Sequence, residues 1–375
     1  MERMKSRVLA LTLAVLLISG LMGTMPLMAF SEEPGEGLTG SGASDELTDT
    51  ESGTATTLDS DSLALEPLAN PPGASDICMI VETNEGYETF VDALNAVNPG
   101  ETIKLLENIN ELTSAMVSDP LTIDLNGFAL TLFTLECSSD LIIEGNGAIT
   151  VFQAVEVNSG GTLIANADIS STGPLEPAIR ADGAGTVVIV NGNVSGYGDS
   201  SAGLSAIGGA LVTINGDISG GAAGIYANGS SNVTVTGDVS VVDPAYGYNA
   251  ISVATNASVT VAGNVTAVAN SASVGARAES GGTITINGTI TASVYIAVGA
   301  IEKSAADHQA ISSMTGYLEY TDGTSFVWVK GTAASGLPAT NDSAGIAVLA
   351  ALLAFVALGT LGIALARRRQ PGFTR

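Results

Sequence analysis

The stretch VTVTGDVS, residues 233–240, contains the pattern that decides the fold. Valine and threonine alternate over 233–236, which is the period of a β-strand with one buried face. Both residue types suit a pleated, half-buried surface. Gly237 and Asp238 then provide a bend, after which Val239 faces the interior again.

The same phrase recurs through residues 161–291. Its copies read LIANADIS, VIVNGNVS, VTINGDIS, VTVTGDVS, VTVAGNVT and ITINGTIT. The closing apolar residues lie 21 to 26 residues apart, at Ile169, Val194, Ile218, Val239, Val265 and Ile290. A period of this length is typical of a stacked repeat array.

A second, shorter phrase precedes most copies. It reads AVEV from 154, AIRA from 178, GIYA from 224, AISV from 250 and GARA from 275. Turn-forming residues separate the two phrases, as at 158–161 and 228–231. Two or three short strands per repeat predict an all-β protein, a parallel β-solenoid whose coils stack about 4.8 Å apart. A β-sandwich would instead require hairpins with tight two-residue turns.

The charge of the chain limits its partners. The formal net charge is −26, and the only basic residues between the two termini are Lys104, Arg180, Arg277, Lys303 and Lys330. Such a surface repels nucleic acid and anionic lipid, so we predict neither as a partner.

The chain contains two cysteines, Cys78 and Cys137. They could form one disulfide or be two buried free thiols, and no spacing typical of a zinc site is present.

The N-terminus reads as an export signal. Residues 1–29 combine a basic start with an apolar run, which predicts a signal peptide cleaved after Ala29. The alternative is an uncleaved membrane anchor, for which the run is short. Residues 30–75 lack lysine and arginine and are rich in Glu, Asp, Ser, Thr, Gly and Pro, so we predict a disordered acidic leader.

We predict that the β-helix, with its N-terminal cap, covers residues 76–300. ICMIVET predicts a strand, and the apolar spacing of Tyr87–Val97 predicts a helix that covers the open end of the solenoid. FVDALNAVNPGETIKLLENI followed by LTIDLNGFALTL resembles the opening of pectin-lyase-like right-handed β-helix domains in surface proteins of Gram-positive bacteria. The resemblance covers Gly86 to Thr291 and implies right-handed coiling.

The repeat pattern fades after Thr291, and residues 301–331 read as a C-terminal cap. Gly316–Gly331 predicts a hairpin with its turn at Tyr320–Gly323. The single tryptophan, Trp328, either covers the last coil, which we expect, or forms a platform for sugars.

The C-terminus carries three features in a fixed order. A spacer, 332–343, precedes an apolar run at 344–366 that is long enough to be a transmembrane helix, and 367–375 is a basic tail. This order is similar to the cell-wall sorting signal of sortase substrates, whose usual motif is Leu-Pro-x-Thr-Gly. The matching residues are Leu337, Pro338, Thr340 and Asn341.

The resemblance to sorting signals implies a processing reaction. A sortase thiolate would attack the carbonyl of Thr340, and the protein would be joined to peptidoglycan. Asn341 stands where glycine is usual. The alternative is a single-span membrane protein.

Residues suited to catalysis are sparse. Arg180 and Arg277 occupy outward positions four coils apart with no evident acidic cluster, and His308 lies outside the repeats. Polyuronide lyases need acidic calcium ligands and a basic residue, and hydrolases need paired carboxylates. We therefore predict no catalytic residues and no organic cofactor.

One polar position is a candidate for metal binding. After each bend stand Asp168, Asn193, Asp217, Asp238, Asn264 and Thr289. Asp217 and Asp238 occupy neighbouring coils, and calcium would relieve their repulsion. Alternatively, Asp and Asn are there because tight bends favour them. Tyr226, outward on its strand, and Tyr246 and Tyr248, in the loop before the next coil, could form part of a binding face or be ordinary surface tyrosines.

Together these features predict an exported protein of a Gram-positive cell surface, anchored to the wall or membrane. We expect the solenoid to act as an adhesion module for a glycan or for a host or bacterial surface protein. The alternatives are a carbohydrate-active enzyme and a passive structural stalk.

Overall fold

A computed structural model describes residues 72–198, 201–242, 248–267 and 271–331. These residues form a parallel β-solenoid of about eight coils with few helical residues. Strands of successive coils pair in parallel, which confirms the predicted solenoid and excludes the sandwich. The predicted signal peptide, most of the acidic leader, and everything from 332 onward lie outside the described residues. Within them, no helix is long and apolar enough to cross a bilayer.

Each coil contributes a strand to three rows, which we call the first, second and third rows in chain order. The parallel strands of the first row are β3 (Thr102–Leu105), β5 (Leu121–Asp124), β7 (Asp140–Glu144), β10 (Thr162–Ala165), β13 (Val187–Val190), β16 (Leu211–Ile214), β19 (Asn232–Val235), β22 (Ser258–Val261), β25 (Thr283–Ile286) and β30 (Phe326–Lys330).

Two long strands, β4 (Ile109–Val117) and β6 (Ala129–Cys137), pass through both the second and third rows. The other second-row strands are β8 (Ala148–Val151), β11 (Asp168–Ser171), β14 (Val194–Gly196), β17 (Ile218–Gly220), β20 (Val239–Val241), β23 (Val265–Ala267) and β26 (Ile290–Ala292). The other third-row strands are β9 (Val155–Val157), β12 (Ile179–Asp182), β15 (Ala202–Ile207), β18 (Ala223–Ala227), β21 (Asn249–Val253), β24 (Val274–Ala278) and β27 (Val294–Val298).

The register places like residues above one another. Val233 of β19 pairs with Val212 below it and Val259 above it, and all three side chains are buried. Full burial of one such aliphatic side chain contributes about 1.5–3 kcal/mol. A single coil has no neighbour against which to bury this face, so stacking is what stabilises it.

The corners between third-row and first-row strands need backbone with positive φ. Ser159 and Gly160 have φ of 55° and 79°, and Gly229 and Ser230 have φ of 65° and 63°. These are the predicted turn residues, and the left-handed conformation explains why small and polar residues occupy them.

The N-terminal end is covered by α1 (Phe90–Ala96), as predicted, but the helix is shorter than expected. Tyr87 instead ends β2 (Glu85–Tyr87), which pairs antiparallel with β1 (Cys78–Ile80). The hydroxyl of Thr89 caps the helix by accepting the backbone N–H of Asp92 at 3.1 Å. This cap fixes the start of the helix at Phe90, three residues after Tyr87.

At the C-terminal end, the solenoid continues past Thr291, where the repeat pattern of the sequence fades. β27 lies inside the predicted range 76–300 and pairs in parallel with β24 before β28 (Ile301–Lys303) folds back on it. The predicted hairpin is present, formed by β29 (Tyr317–Thr321) and β30, but its turn lies two residues later. In addition, β30 pairs in parallel with β25 and so completes the first row.

Candidate interaction surface

The Asp/Asn position after each bend forms a hydrogen-bonded column. Each Oδ1 atom accepts the backbone N–H of the equivalent residue one coil later. The distances are 2.7 Å from Asp168 to Asn193, 2.9 Å from Asn193 to Asp217, 2.8 Å from Asp217 to Asp238, 2.6 Å from Asp238 to Asn264 and 3.0 Å from Asn264 to Thr289.

This column gives the calcium candidates Asp217 and Asp238 a structural role. One oxygen of each carboxylate already accepts a backbone N–H. Across the described residues, no group of three or more His, Cys, Asp or Glu side chains is placed to hold a metal ion. The sequence left two explanations for Asp and Asn at this position, calcium binding and the preference of tight bends. The structure explains the preference by the hydrogen bond that each side chain accepts from the next coil.

Glycine precedes several residues of this column, and it is required there because stacked coils approach each other closely. A Cβ on Gly237 would lie 2.4 Å from the carbonyl oxygen of Gly216 and 2.2 Å from Asp217 Oδ1. Gly263 and Gly288 show the same contact with the glycine one coil below them. No φ in the left-handed range is involved, so space rather than backbone conformation selects glycine here.

The outward side of the second row is a column of hydroxyl groups. Its members, paired in register, are Thr131, Thr150, Ser170, Ser195, Ser219, Ser240, Thr266 and Thr291. The hydroxyls of Thr150 and Ser170 lie 3.1 Å apart, within hydrogen-bond distance. The column itself is polar and uncharged.

The outward side of the third row contains an acidic cluster that the sequence analysis missed. The register places Glu136 beside Glu156 and Glu156 beside Arg180. Arg180 Nε lies 3.8 Å from Glu156 Oε1, and its Nη2 donates to Glu176. The expectation that Arg180 stands apart from acidic residues is therefore wrong. Arg277, four coils away, bonds instead to Asn249 Oδ1 at 3.3 Å and to the carbonyl of Gly299 at 3.4 Å.

The environment of Glu156 shifts its pKa. Partial burial raises its pKa above the ordinary value, Arg180 opposes that effect, and the charges of Glu136 and Glu176 add to it. A carboxylate in this position is stabilised by an additional positive charge.

Exposed apolar side chains concentrate at the corner where second-row strands lead into third-row strands. We call five residues there the corner ridge: the exposed Leu112, Phe152, Leu175 and Tyr197 and the half-buried Phe133. Leu112, Leu175 and Tyr197 are 66%, 72% and 68% exposed. Phe133 and Phe152 come from neighbouring coils and stack with ring centroids 5.3 Å apart. Met116, 63% exposed, lies beside Glu136 in the adjoining third row.

The segments at this corner vary in length. Gly221 and Ala222 alone connect β17 to β18, whereas residues 172–178 connect β11 to β12. Variable loops on a rigid scaffold are a common location for binding sites. The sequence analysis did not identify the ridge, because its residues lie outside both repeated phrases.

The aromatic residues singled out from the sequence are scattered. Tyr226 is outward and 39% exposed, with its hydroxyl accepting from Asn228 at 2.8 Å. Tyr246 lies outside the described residues, and Tyr248 immediately precedes β21.

Trp328 does not cover the last coil, contrary to expectation. It points outward from β30 and stacks on Phe326 with centroids 5.2 Å apart, whereas Val327 and Val329 fill the interior. Its Nε1 donates to Glu319 Oε2 at 3.1 Å. Alternation along the strand explains the difference, since inward valines on both sides force Trp328 outward.

His308 is exposed in the segment before β29. Its Nδ1 lies 2.9 Å from the carbonyl of Gln309, and its ring forms a T-shaped contact with the ring of Tyr320.

The sequence-predicted processing residues Ala29, Leu337, Pro338, Thr340 and Asn341 lie outside the described residues. Comparison of the chain with protein families, with characterised proteins and with solved structures found no match.

Proposed function

We propose that the chain is an exported surface protein of a Gram-positive bacterium, anchored to peptidoglycan, whose solenoid displays the corner ridge as an adhesion module. The basic and apolar start of residues 1–29 supports export, with cleavage after Ala29. The motif from Leu337 to Asn341, followed by an apolar run and a basic tail, supports cleavage by a sortase after Thr340. The resemblance to pectin-lyase-like domains supports right-handed coiling.

The corner ridge carries the adhesion proposal. Large apolar side chains that are exposed at the same corner of successive coils typically mark an interaction site. A passive structural stalk needs no exposed apolar ridge, because the buried side chains and the backbone hydrogen bonds between strands already hold the coils together. The ridge therefore favours binding over a passive structural role.

A carbohydrate-active enzyme is the second candidate, because Glu136 and Glu156 are carboxylates in neighbouring coils. A raised pKa, as at Glu156, suits a general acid. The adhesion function is favoured because Glu156 and Glu176 are both paired with Arg180.

The adhesion proposal is tested with cells that display the full chain, presented with host and bacterial polysaccharides and surface proteins. Leu175→Ser combined with Tyr197→Ser should abolish the attachment that wild-type cells show. Leu211→Ser is the matched control, because Leu211 is 49% exposed on the first row. Equal attachment by the ridge variant and wild type would contradict the proposal, and soluble glycan fragments would establish the enzyme instead.

Anchoring is tested separately by digesting the cell wall and measuring the C-terminus of the released chain by mass spectrometry. We expect a chain that ends at Thr340 and carries a peptidoglycan fragment. Recovery of the intact C-terminal tail in the membrane fraction would show a single-span membrane protein.

A further inference from the structure

We infer that the partner of the corner ridge is a protein segment that combines apolar side chains with lysine or arginine. The inference rests on the ridge being the interaction surface proposed above. It adds the chemistry of the partner, which follows from the charges and side-chain types that border the ridge.

The charges beside the ridge are predominantly negative. Glu136, Glu156 and Glu176 bring three carboxylates, and Arg180 brings one guanidinium, so these four residues carry a net charge of −2 when ionised. Arg180 already contacts two of the carboxylates, and Glu136 lies on the opposite side of Glu156 from it. A cation from a partner would reduce the repulsion between the carboxylates of Glu136 and Glu156.

The apolar part of the ridge is suited to protein side chains rather than to sugars. Sugar rings pack against open aromatic faces, but Phe133 and Phe152 cover one face of each other. The exposed residues around them are one aromatic residue, Tyr197, and three without an aromatic ring, Leu112, Leu175 and the flexible Met116. Such side chains fit the apolar residues of a polypeptide, as in the buried centre of a protein interface.

A second copy of this chain is a poor occupant. The net charge of −26 makes two copies repel. Among the few cations of the described residues, Lys104 is already paired with Asp124 at 3.5 Å and Arg180 is paired within the acidic cluster. Arg277 is bonded to Asn249 and Gly299, which leaves Lys303 and Lys330 as the remaining lysines of the described residues. Two lysines against this net charge favour a different protein as the source of the cation.

The test is selection of a displayed library of random peptides on the full chain. We expect enriched peptides that contain both apolar residues and lysine or arginine, with binding that weakens as salt is raised. Glu136→Gln with Glu156→Gln should weaken these peptides about tenfold, and Leu175→Ser with Tyr197→Ser should weaken them at least as much. Glu279→Gln with Glu302→Gln, both exposed and away from the ridge, removes the same charge and should leave binding unchanged.

Circular dichroism and the melting temperature of each variant establish that the variants are folded. Enriched peptides without lysine or arginine, or peptides that bind both ridge variants as well as wild type, would overturn the inference. Attachment to a neutral polysaccharide that depends on Leu175 and Tyr197, with no peptide competing, would overturn it while leaving the adhesion proposal intact. Attachment that is equal for wild type and for the Leu175→Ser, Tyr197→Ser variant would contradict both this inference and the adhesion proposal.

Discussion

Asp217 Oδ1 accepts the backbone N–H of Asp238, one coil further along the solenoid, at 2.8 Å. Asp238 Oδ1 does the same for Asn264 at 2.6 Å. The position needs an acceptor oxygen that can reach the next bend, and Asp and Asn provide it equally. The column is therefore explained by backbone satisfaction, with negative charge as a secondary property.

The first prediction concerns this acceptor. Asp238→Ala removes the oxygen bonded to Asn264 and should lower the free energy of unfolding by about 1 kcal/mol. Asp238→Asn keeps an acceptor and should be close to wild type. Thermal unfolding should show a melting temperature about 2 to 4 °C lower for the alanine variant only. Equal loss in both variants would mean that the charge itself is needed.

The second prediction concerns calcium. Because one carboxylate oxygen each of Asp217 and Asp238 is already bonded to backbone, we expect millimolar calcium to leave the melting temperature unchanged. Magnesium at the same ionic strength is the control. A rise that is specific to calcium and absent in Asp238→Asn would instead establish the metal site that the sequence suggested.

The third prediction concerns the close approach at Gly237. Gly237→Ala would place a Cβ 2.4 Å from the carbonyl oxygen of Gly216, so neighbouring coils must separate locally. We expect a loss of about 2 kcal/mol or more, as for other overpacked sites. Gly331→Ala is the control, because its Cβ would lie 3.6 Å from the nearest atom. Similar melting temperatures for both variants would show that the bend at Gly237 can accommodate a Cβ.

The fourth prediction concerns pH and Glu319, which is only 6% exposed. Burial opposes its ionisation, but hydrogen bonds from Ser313 and Trp328 outweigh burial and lower its pKa. The ionised form therefore contributes stability above the unfolded-state pKa of about 4.3. That contribution is lost as the pH falls through the lower folded-state pKa.

Glu319→Gln should remove this acid-dependent part of the stability. The measurement is the melting temperature of wild type and variant from neutral to acidic pH, with the exposed Glu302→Gln as control. The difference between wild type and Glu319→Gln should shrink as the pH falls. A difference that stays constant would mean that the charge of Glu319 contributes nothing.

The fifth prediction concerns the cysteines, which are both buried and free. Burial raises the pKa of Cys78 to about 12 and that of Cys137 to about 11, so neither forms the reactive thiolate at pH 8. Iodoacetamide should modify neither in the folded protein and both after unfolding. Mass spectrometry without reductant that shows a disulfide would contradict the structure.

The fold was predictable because its pattern is local and repeated. The alternation around Val233 and the spacing of Gly237 from its counterparts determine strand, bend and register together. The third-row strand β15 was missed although its phrase, GLSA, differs from GIYA only at the two central positions. Its inward residues, Leu204 and Ala206, nevertheless follow the same alternation.

The surface was less predictable, because it depends on register between coils. Glu136, Glu156 and Arg180 lie far apart in sequence and become neighbours only when strands β6, β9 and β12 are aligned. The alignment was available in principle, since AVEV and AIRA place Glu156 and Arg180 at equivalent positions. The corner ridge had no comparable signal, because its loops differ in length and share no motif.

The last described strand, β30, is bonded on both sides, to β25 in parallel and to β29 antiparallel. If the chain is held at its C-terminal end, a pulling force enters the solenoid along this strand. The backbone hydrogen bonds of β30 to β25 and to β29 must then break together. They do not break one after another, as they would at a free edge. Such a shear-loaded connection would let a cell hold a bound partner under flow without unravelling the coils.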